Sequence, residues 1–322
     1  MNRGLLASFL AVLFGLSLQA AERVVSPTAA KLSEVLNLDQ GELHWLYQGQ
    51  PLFVYAFAAN QFKPYVRELY TLRGENVLRD APPDHLHHHG LMYAIRLNGV
   101  NFWEERDSPG VEKSISITSR KVGRGPRGLP EASFTQVIHW LAFTNRDVAD
   151  STASAFLIEN RTLTLTVDEN AGEVALVWDA HFEVGKYTPK LQLHGANYNG
   201  LGLRLPQSFD KVARFANSEN SPYAGNNTQN VIPASWTSVS GAMDGRNIML
   251  ALFGRSENAL GNGKFFTMTE PFAYLAVTQG LDKETLEYKA GDKFRLRYLL
   301  TTYSENKPRE FIERRAEAWR RN

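Results

Sequence analysis

Thr162-Leu163-Thr164-Leu165-Thr166-Val167 sets a threonine before an aliphatic residue three times in succession. Successive side chains of a strand point to opposite faces of a sheet, so a period of two predicts a strand with one buried and one wetted face. Phe294-Arg295-Leu296-Arg297-Tyr298-Leu299 and Ser114-Ile115-Ser116-Ile117-Thr118 carry the same alternation. The longer apolar runs Val174 to Phe182 and Ile248 to Phe253 suit central strands buried on both faces, although periodicity alone does not separate such runs from buried helix. Leu43 to Tyr47 and Leu52 to Phe57 flank Gln48-Gly49-Gln50-Pro51, which has the composition of a hairpin turn.

Helical spacing is clear only at the C-terminus. Pro308 suits a first helical turn, and Phe311, Ile312, Arg315, Ala316 and Trp319 form a stripe expected to dock on a sheet. Arg314, Arg315, Arg320 and Arg321 lie toward the end, where cations complement the helix dipole, and read as a solvated face. The loops between strands are too short to act as domain linkers, and no internal repeat is present. Residues 21–322 are therefore expected to form one all-β domain, a large antiparallel β-sandwich with a C-terminal helix. The galactose-mutarotase-like supersandwich is one extended form of that architecture.

Composition narrows the function classes. The 322 residues include 35 Lys plus Arg, 34 Asp plus Glu, 8 His and no Cys, with 43% hydrophobic residues. Setting aside Arg3, the one charged residue of the first 21, leaves 34 basic against 34 acidic groups. Without a basic excess there is no field to gather phosphates or anionic lipid, so neither nucleic acid nor a membrane surface is an expected partner. The lack of cysteine excludes disulfides, thiolate catalysis and a cysteine-linked lipid.

The N-terminus has the three parts of a secretory signal peptide. Met1-Asn2-Arg3 precedes an apolar run of 15 residues from Gly4 to Leu18, and small residues follow at Ala20 and Ala21. A bilayer core needs about 20 apolar residues, so cleavage after Ala20 is expected, with residues 1–20 as signal peptide. No later segment is long and apolar enough to span. The expected location is outside the cytoplasm, in a periplasm.

Four of the 8 histidines fall within five places, in Arg79-Asp80-Ala81-Pro82-Pro83-Asp84-His85-Leu86-His87-His88-His89-Gly90. The two prolines fix φ and remove backbone donors, which predicts a stiff, extended loop. A hairpin should follow, because Asn98-Gly99 is well suited to the positive φ angles of a two-residue turn. That register pairs Leu97 with Val100, Ile95 with Phe102 and Tyr93 with Glu104. It turns Tyr93, Ile95, Leu97, Val100 and Phe102 to the core, with Arg96, Asn101, Trp103 and Glu105 on the other face. Glu104 and Glu105 then stand at the end of the hairpin that meets the histidine loop.

Imidazole titrates near neutrality, so a neutral histidine can take a proton and a charged one can donate it, while a nearby glutamate orients the ring. Arg79 or Arg204 could hold an anionic oxygen. The rival chemistry is metal binding. In an extended loop His85, His87 and His89 project to one side, and further ligands would have to come from His139, His181 or His194. Tyr198-Asn199-Gly200-Leu201-Gly202-Leu203-Arg204 lacks the following helix that a phosphate loop requires. Its glycines suit a close approach of backbone to a ligand or strand. Trp45, Trp103, Trp140, Trp178 and Trp236 include candidate sugar platforms, although each is also a natural core residue. No serine-nucleophile motif or dinucleotide fingerprint is present.

Lys63-Pro64-Tyr65, Leu69-Tyr70-Thr71, Arg79-Asp80, Pro82-Pro83-Asp84-His85, His87-His88-x-Gly90-Leu91, Asn98-Gly99-Val100 and Phe102-Trp103 resemble the signature of an uncharacterised bacterial family. That family has carried the label "methane oxygenase PmoA-like". Gly200-Leu201-Gly202-Leu203-Arg204, Trp236, Gly291 and Arg295-Leu296-Arg297-Tyr298 extend the resemblance over nearly the whole chain. The sequence departs at His89, where the family pattern has arginine, and at Arg67, where many relatives have histidine. An exchange of the two residue types around one pocket, or a different substrate preference, would follow. The label itself conflicts with the sequence, because a membrane monooxygenase subunit crosses the bilayer several times and residues 21–322 offer no span of about 20 apolar residues. The resemblance implies a soluble β-sandwich with a role near carbohydrate degradation.

The leading expectation is an exported carbohydrate-active enzyme, a lyase, hydrolase or epimerase acting on a small sugar or oxidised sugar. His87 and His88 are the expected acid/base groups and Glu104 their carboxylate partner. Arg67, Arg79, Asp84, His85, His89, Trp103 and Arg204 are expected to contact substrate. This chemistry requires no cofactor. The alternatives are a metal-dependent oxidoreductase with histidine ligands to a divalent ion, and a glycan-binding protein without catalysis.

Overall fold

Leu163, Leu165 and Val167 are buried and Thr162, Thr164 and Thr166 are partly exposed, all within the strand Leu157–Asp168. The computed structural model describes residues 22–24, 31–107, 109–223, 230–259, 261 and 263–321, so the expected signal peptide lies outside the described residues. Among these residues the strands form sheets of ten, eight and four. The eight-stranded sheet runs Arg214–Asn217, Trp236–Met243, Arg246–Phe253, Lys293–Tyr303, Glu173–Val184, Leu157–Asp168, Pro130–Ala142 and Gly110–Arg124, with antiparallel ladders. The run Ile248 to Phe253 is buried on both faces, as expected of a central strand. Ser114 to Thr118 differs from expectation. Its strand, Gly110–Arg124, lies at the sheet edge, and Ile115 there is 43% exposed.

The ten-stranded sheet includes the expected hairpin, in which Tyr47 pairs Gln50 around Gln48 and Gly49, both at positive φ. Its inner face packs on the eight-stranded sheet, with Trp45 and Tyr55 against Phe134, and Tyr93 against Trp140 and Phe182. Each large apolar side chain fully buried in this interface contributes roughly 1.5–3 kcal/mol of transfer free energy. All five candidate tryptophan platforms are buried to within 2% exposure, and Trp103 also lines the histidine-loop cavity.

One polar cluster is buried between the sheets. Arg161 is 0% exposed and donates to Glu159 at 2.7 and 2.9 Å, to Glu112 at 3.2 Å, to the Tyr55 hydroxyl at 3.1 Å and to the Pro64 carbonyl at 2.8 Å. Burial, together with the neighbouring Glu159, raises the Glu112 carboxyl above its ordinary value although Arg161 opposes it.

The C-terminal helix, Arg309–Arg321, covers the outer face of the eight-stranded sheet. Ile312, Ala316 and Trp319 pack on Ala251, Phe253 and Leu299, and Pro308 precedes the first turn. Arg315 corrects the expected solvated face: its Nε bonds Glu173 at 3.0 Å, and Glu173 also accepts from the Tyr303 hydroxyl at 2.6 Å.

The middle of the ten-stranded sheet positions the site. Leu91–Ala94, Gly200–Arg204 and Tyr274–Thr278 are adjacent, so segments far apart in sequence deliver the histidine loop, Arg204 and Tyr274 to one place.

Candidate functional site: the histidine-loop cavity

The loop from Arg79 to Gly90 is pinned at both ends to one strand residue. The Arg79 amide donates to the Arg204 carbonyl and the Arg204 amide to the Gly90 carbonyl, each at 2.9 Å. Gly90 is required there, since a Cβ would stand 2.4 Å from the Val66 carbonyl oxygen. Between these anchors the chain is folded rather than extended. His85 N bonds Pro82 O and His88 N bonds His85 O, both at 2.9 Å, and Ala81 N closes the loop onto His88 O at 3.0 Å. These two turns overturn the expected alternation along the loop. His85, His87 and His88 gather their rings with centroids 4.6 to 5.7 Å apart, while His89 turns the other way.

The hairpin has the expected turn, with Asn98 and Gly99 at positive φ and Leu97 paired with Val100. It is shorter than expected. Pairing ends after Phe102 N bonds Ile95 O, because the Asn101 side chain accepts from the amides of Trp103 and Glu104 at 3.0 and 3.2 Å and turns the chain out of the ladder. The Tyr93–Glu104 pair therefore does not form. Trp103, expected on the outer face, is buried. Glu104 is held instead by Asn101 Nδ2 at 3.1 Å and lies 3.6 Å from Arg96.

These residues line a cavity of about 850 Å³. His85, His87, His88, Asp84, Trp103, Glu104 and Glu105 share its walls with Tyr198, Phe266, Phe272 and Tyr274. Burial, with Lys63 and His85 nearby, pushes the His87 imidazole down to about 4, and burial beside His87 and His85 pushes His88 down to about 2. Both rings are neutral at pH 7. His88 is 7% exposed, and among the described residues its Nδ1 has no hydrogen-bond partner. Two further buried atoms in the wall, Trp103 Nε1 and the Tyr274 hydroxyl, also lack partners. Unpartnered buried polar atoms are uncommon in folded proteins, and these three belong to residues that line one cavity.

Behind the wall runs a charged chain. The Tyr65 hydroxyl donates to Asp80 at 3.1 Å, Asp80 bonds His89 Nδ1 at 3.0 Å, His89 Nε2 bonds Glu105 at 3.1 Å, and Glu105 also takes the buried Lys63 ammonium. Burial alone would lower the His89 imidazole, yet its bonds to Asp80 and Glu105 outweigh this and raise it. A raised folded value means that the stability contributed by charged His89 is complete below the unfolded value near 6.5 and is lost as pH rises through the folded one. Urea unfolding of the native chain and His89→Gln across pH 5 to 9 should therefore show a stability difference largest at the acid end.

Gly202 sets how closely Tyr274 can approach. A Cβ at Gly202 would lie 1.7 Å from the Tyr274 hydroxyl. Gly202→Ala is expected to cost about 1–3 kcal/mol by overpacking, with part recovered in the Gly202→Ala/Tyr274→Phe double variant, read by thermal unfolding.

Three expected contact residues lie away from the cavity. His89 stacks on Tyr65 at 4.2 Å and belongs to the chain just described. Arg67, two places along that strand from Tyr65, pairs with Glu42 and Glu68. Arg79 faces Asp210 at 3.9 Å. Arg204 lies under the wall, bonded to Asp84 at 3.0 Å. The histidines proposed to complete a metal set are elsewhere, with His139 bonded to Ser151, His181 beside Asp179 and His194 near Thr285. Among the described residues no group of three or more His, Asp or Glu is arranged to hold an ion. Lys63, Asp80, Phe272 and Tyr274 escaped the sequence reading of the site. Only Lys63 and Asp80 had a signal, as members of the family signature.

Comparison with solved structures finds matches at low identity. The α-galactosidase AgaB of Geobacillus stearothermophilus is 11% identical with a TM-score of 0.45, over 88% of this chain and 41% of that one. The α-galactosidase of Lactobacillus brevis is 10% identical with a TM-score of 0.41, over 89% of this chain and 40% of that one. A galactose mutarotase related enzyme of Lactobacillus acidophilus is 10% identical with a TM-score of 0.37, over 89% of this chain and 99% of that one. The chain thus spans about two fifths of the length of these α-galactosidases. No curated protein matches the sequence. A profile described as "Family of unknown function (DUF6807)" matches residues 42–317, and by that match the chain belongs to this family.

Proposed function

We propose that the chain is an exported carbohydrate-active enzyme that moves protons on a sugar at the histidine-loop cavity. One observation carries this: two neutral imidazoles, His87 and His88, stand with Glu104 in an open cavity whose walls also carry the aromatic rings of Trp103, Tyr198, Phe266, Phe272 and Tyr274. Aromatic faces suit the C–H faces of a sugar ring, and the carboxylate and imidazoles suit its hydroxyls.

The protonation states refine the roles expected of the loop. A neutral His87 or His88 has no proton to give as a cation at pH 7, and His87, lowered to about 4 against about 2 for His88, is the stronger base of the two. The Tyr274 ring centre is 5.6 Å from that of His88, and burial holds its hydroxyl protonated. Glu104, held by Asn101, orients a substrate hydroxyl or an imidazole. Export rests on the signal-peptide pattern of residues 1–20. The methane-oxygenase label gains no support, since no helix among the described residues is long and apolar enough to cross a membrane.

The test is turnover of a panel of neutral and oxidised sugars followed by mass spectrometry, with elemental analysis of untagged protein alongside. Conversion of a sugar by metal-free protein, lost in the His87→Ala/His88→Ala variant, is the expected outcome. Binding without product would make the chain a glycan-binding module, and activity that tracks a bound metal would restore the oxidoreductase alternative.

A further inference from the structure

Arg204 ends the strand Gly200–Arg204 with its side chain 1% exposed. Its guanidinium lies on the Phe272 ring, 3.5 Å from the ring centre. Among the described residues Nη2 is engaged by Asp84 Oδ2 at 3.0 Å, while Nε and Nη1 are buried without hydrogen-bond partners. Leaving a buried donor unpaired costs about 1–3 kcal/mol, more for a charged group, so an arginine with two such donors is expected to have a further acceptor.

Asp84 indicates what that acceptor is. Its side chain is 46% exposed, stands in the cavity wall and is held on the loop by His85 Nδ1 at 3.0 Å. A carboxylate at the cavity edge therefore already reaches Arg204, but through one oxygen and one nitrogen. Either edge of the guanidinium containing Nη2 has a second, unused N–H. A carboxylate that spanned both would make two parallel charge-assisted bonds where Asp84 makes one. Because Asp84 is partly in water and keeps its bond to His85, its release from Arg204 costs little.

We propose, building on the sugar reading above, that the cavity takes an acidic sugar whose carboxylate exchanges with Asp84 on Arg204. The sugar ring would then lie beside His85 and His88, whose edges meet the Phe272 ring at 4.7 and 5.3 Å. Asp84 is an internal stand-in for the ligand and holds the arginine until the ligand arrives.

Calorimetric or NMR titration of the full chain with D-glucuronate and D-galacturonate, against D-glucose and D-galactose, tests this. The acidic sugars are expected to bind about tenfold tighter, the worth of one extra charge-assisted bond, and Arg204→Gln should remove the preference. Asp84→Asn is the sharper variant, because it keeps the arginine and the fold. It should tighten uronate binding several-fold and leave neutral sugars unchanged, whereas a purely structural Asp84–Arg204 pair would weaken both. Equal binding of acidic and neutral sugars, or weaker uronate binding in Asp84→Asn, overturns the inference and leaves the sugar reading standing. Absence of binding by all four sugars removes both.

Discussion

His88→Ala is expected to lower kcat on a confirmed sugar substrate by about 10²- to 10⁴-fold, the usual worth of a positioned acid/base group, with a smaller change in KM. His88 is the most buried of the three imidazoles that face the cavity, and it touches Trp103, Phe272 and Tyr274 as well as His85 and His87. With its folded value pushed down to about 2 and that of His87 to about 4, the acid limb of the pH–rate profile should lie below the ordinary histidine range. The stability profile has the opposite sign from that of His89. Unfolded His88 takes a proton near 6.5 and folded His88 only near 2, so the folded state loses stability as pH falls below 6.5. His88→Ala should flatten that decline while it lowers turnover. A variant that keeps its turnover would remove His88 from the chemistry.

Arg161→Met is expected to destabilise the protein by about 3–5 kcal/mol in urea unfolding, because it strands two carboxylates between the sheets. Glu159 and Glu112 are both buried and both depend on this guanidinium. The loss should be smaller at pH 5 than at pH 8, since at lower pH the stranded carboxyls can take protons instead of remaining charged. The variant should also slacken the site. Arg161 holds the Pro64 carbonyl, and the adjacent Lys63 holds Glu105 in the cavity wall. A loss below about 1 kcal/mol at pH 8 would mean that water reaches the cluster.

The fold was legible where a single strand carried its own pattern. The alternation at Thr162 to Val167 and the Asn98-Gly99 turn needed only local backbone geometry, and both stand as expected. Local pattern was insufficient where a side chain bonds its own backbone, as Asn101 does when it ends the hairpin early. It also misread Pro82-Pro83. The prolines do stiffen the loop, but the amide of Ala81 meets the His88 carbonyl, and this closure rather than the prolines decides that His89 points away from its neighbours. Tyr274 and Arg315 show the remaining limit. Each acquires its role from a partner supplied by a distant strand, the histidine loop for one and Glu173 for the other. The cluster of histidines beside carboxylates was visible in the sequence. The protonation of those histidines was not, because burial sets it.

Imidazole NMR of ¹⁵N-histidine-labelled protein, recorded from pH 8 down to pH 5 with and without a bound sugar, tests the central claim most directly. His87 and His88 are expected to remain neutral over the whole range, to shift when the sugar is added, and to be distinct from a His89 that keeps its proton above the ordinary histidine value. Resonances of His87 and His88 that titrate near pH 6.5 and do not move with sugar would contradict it.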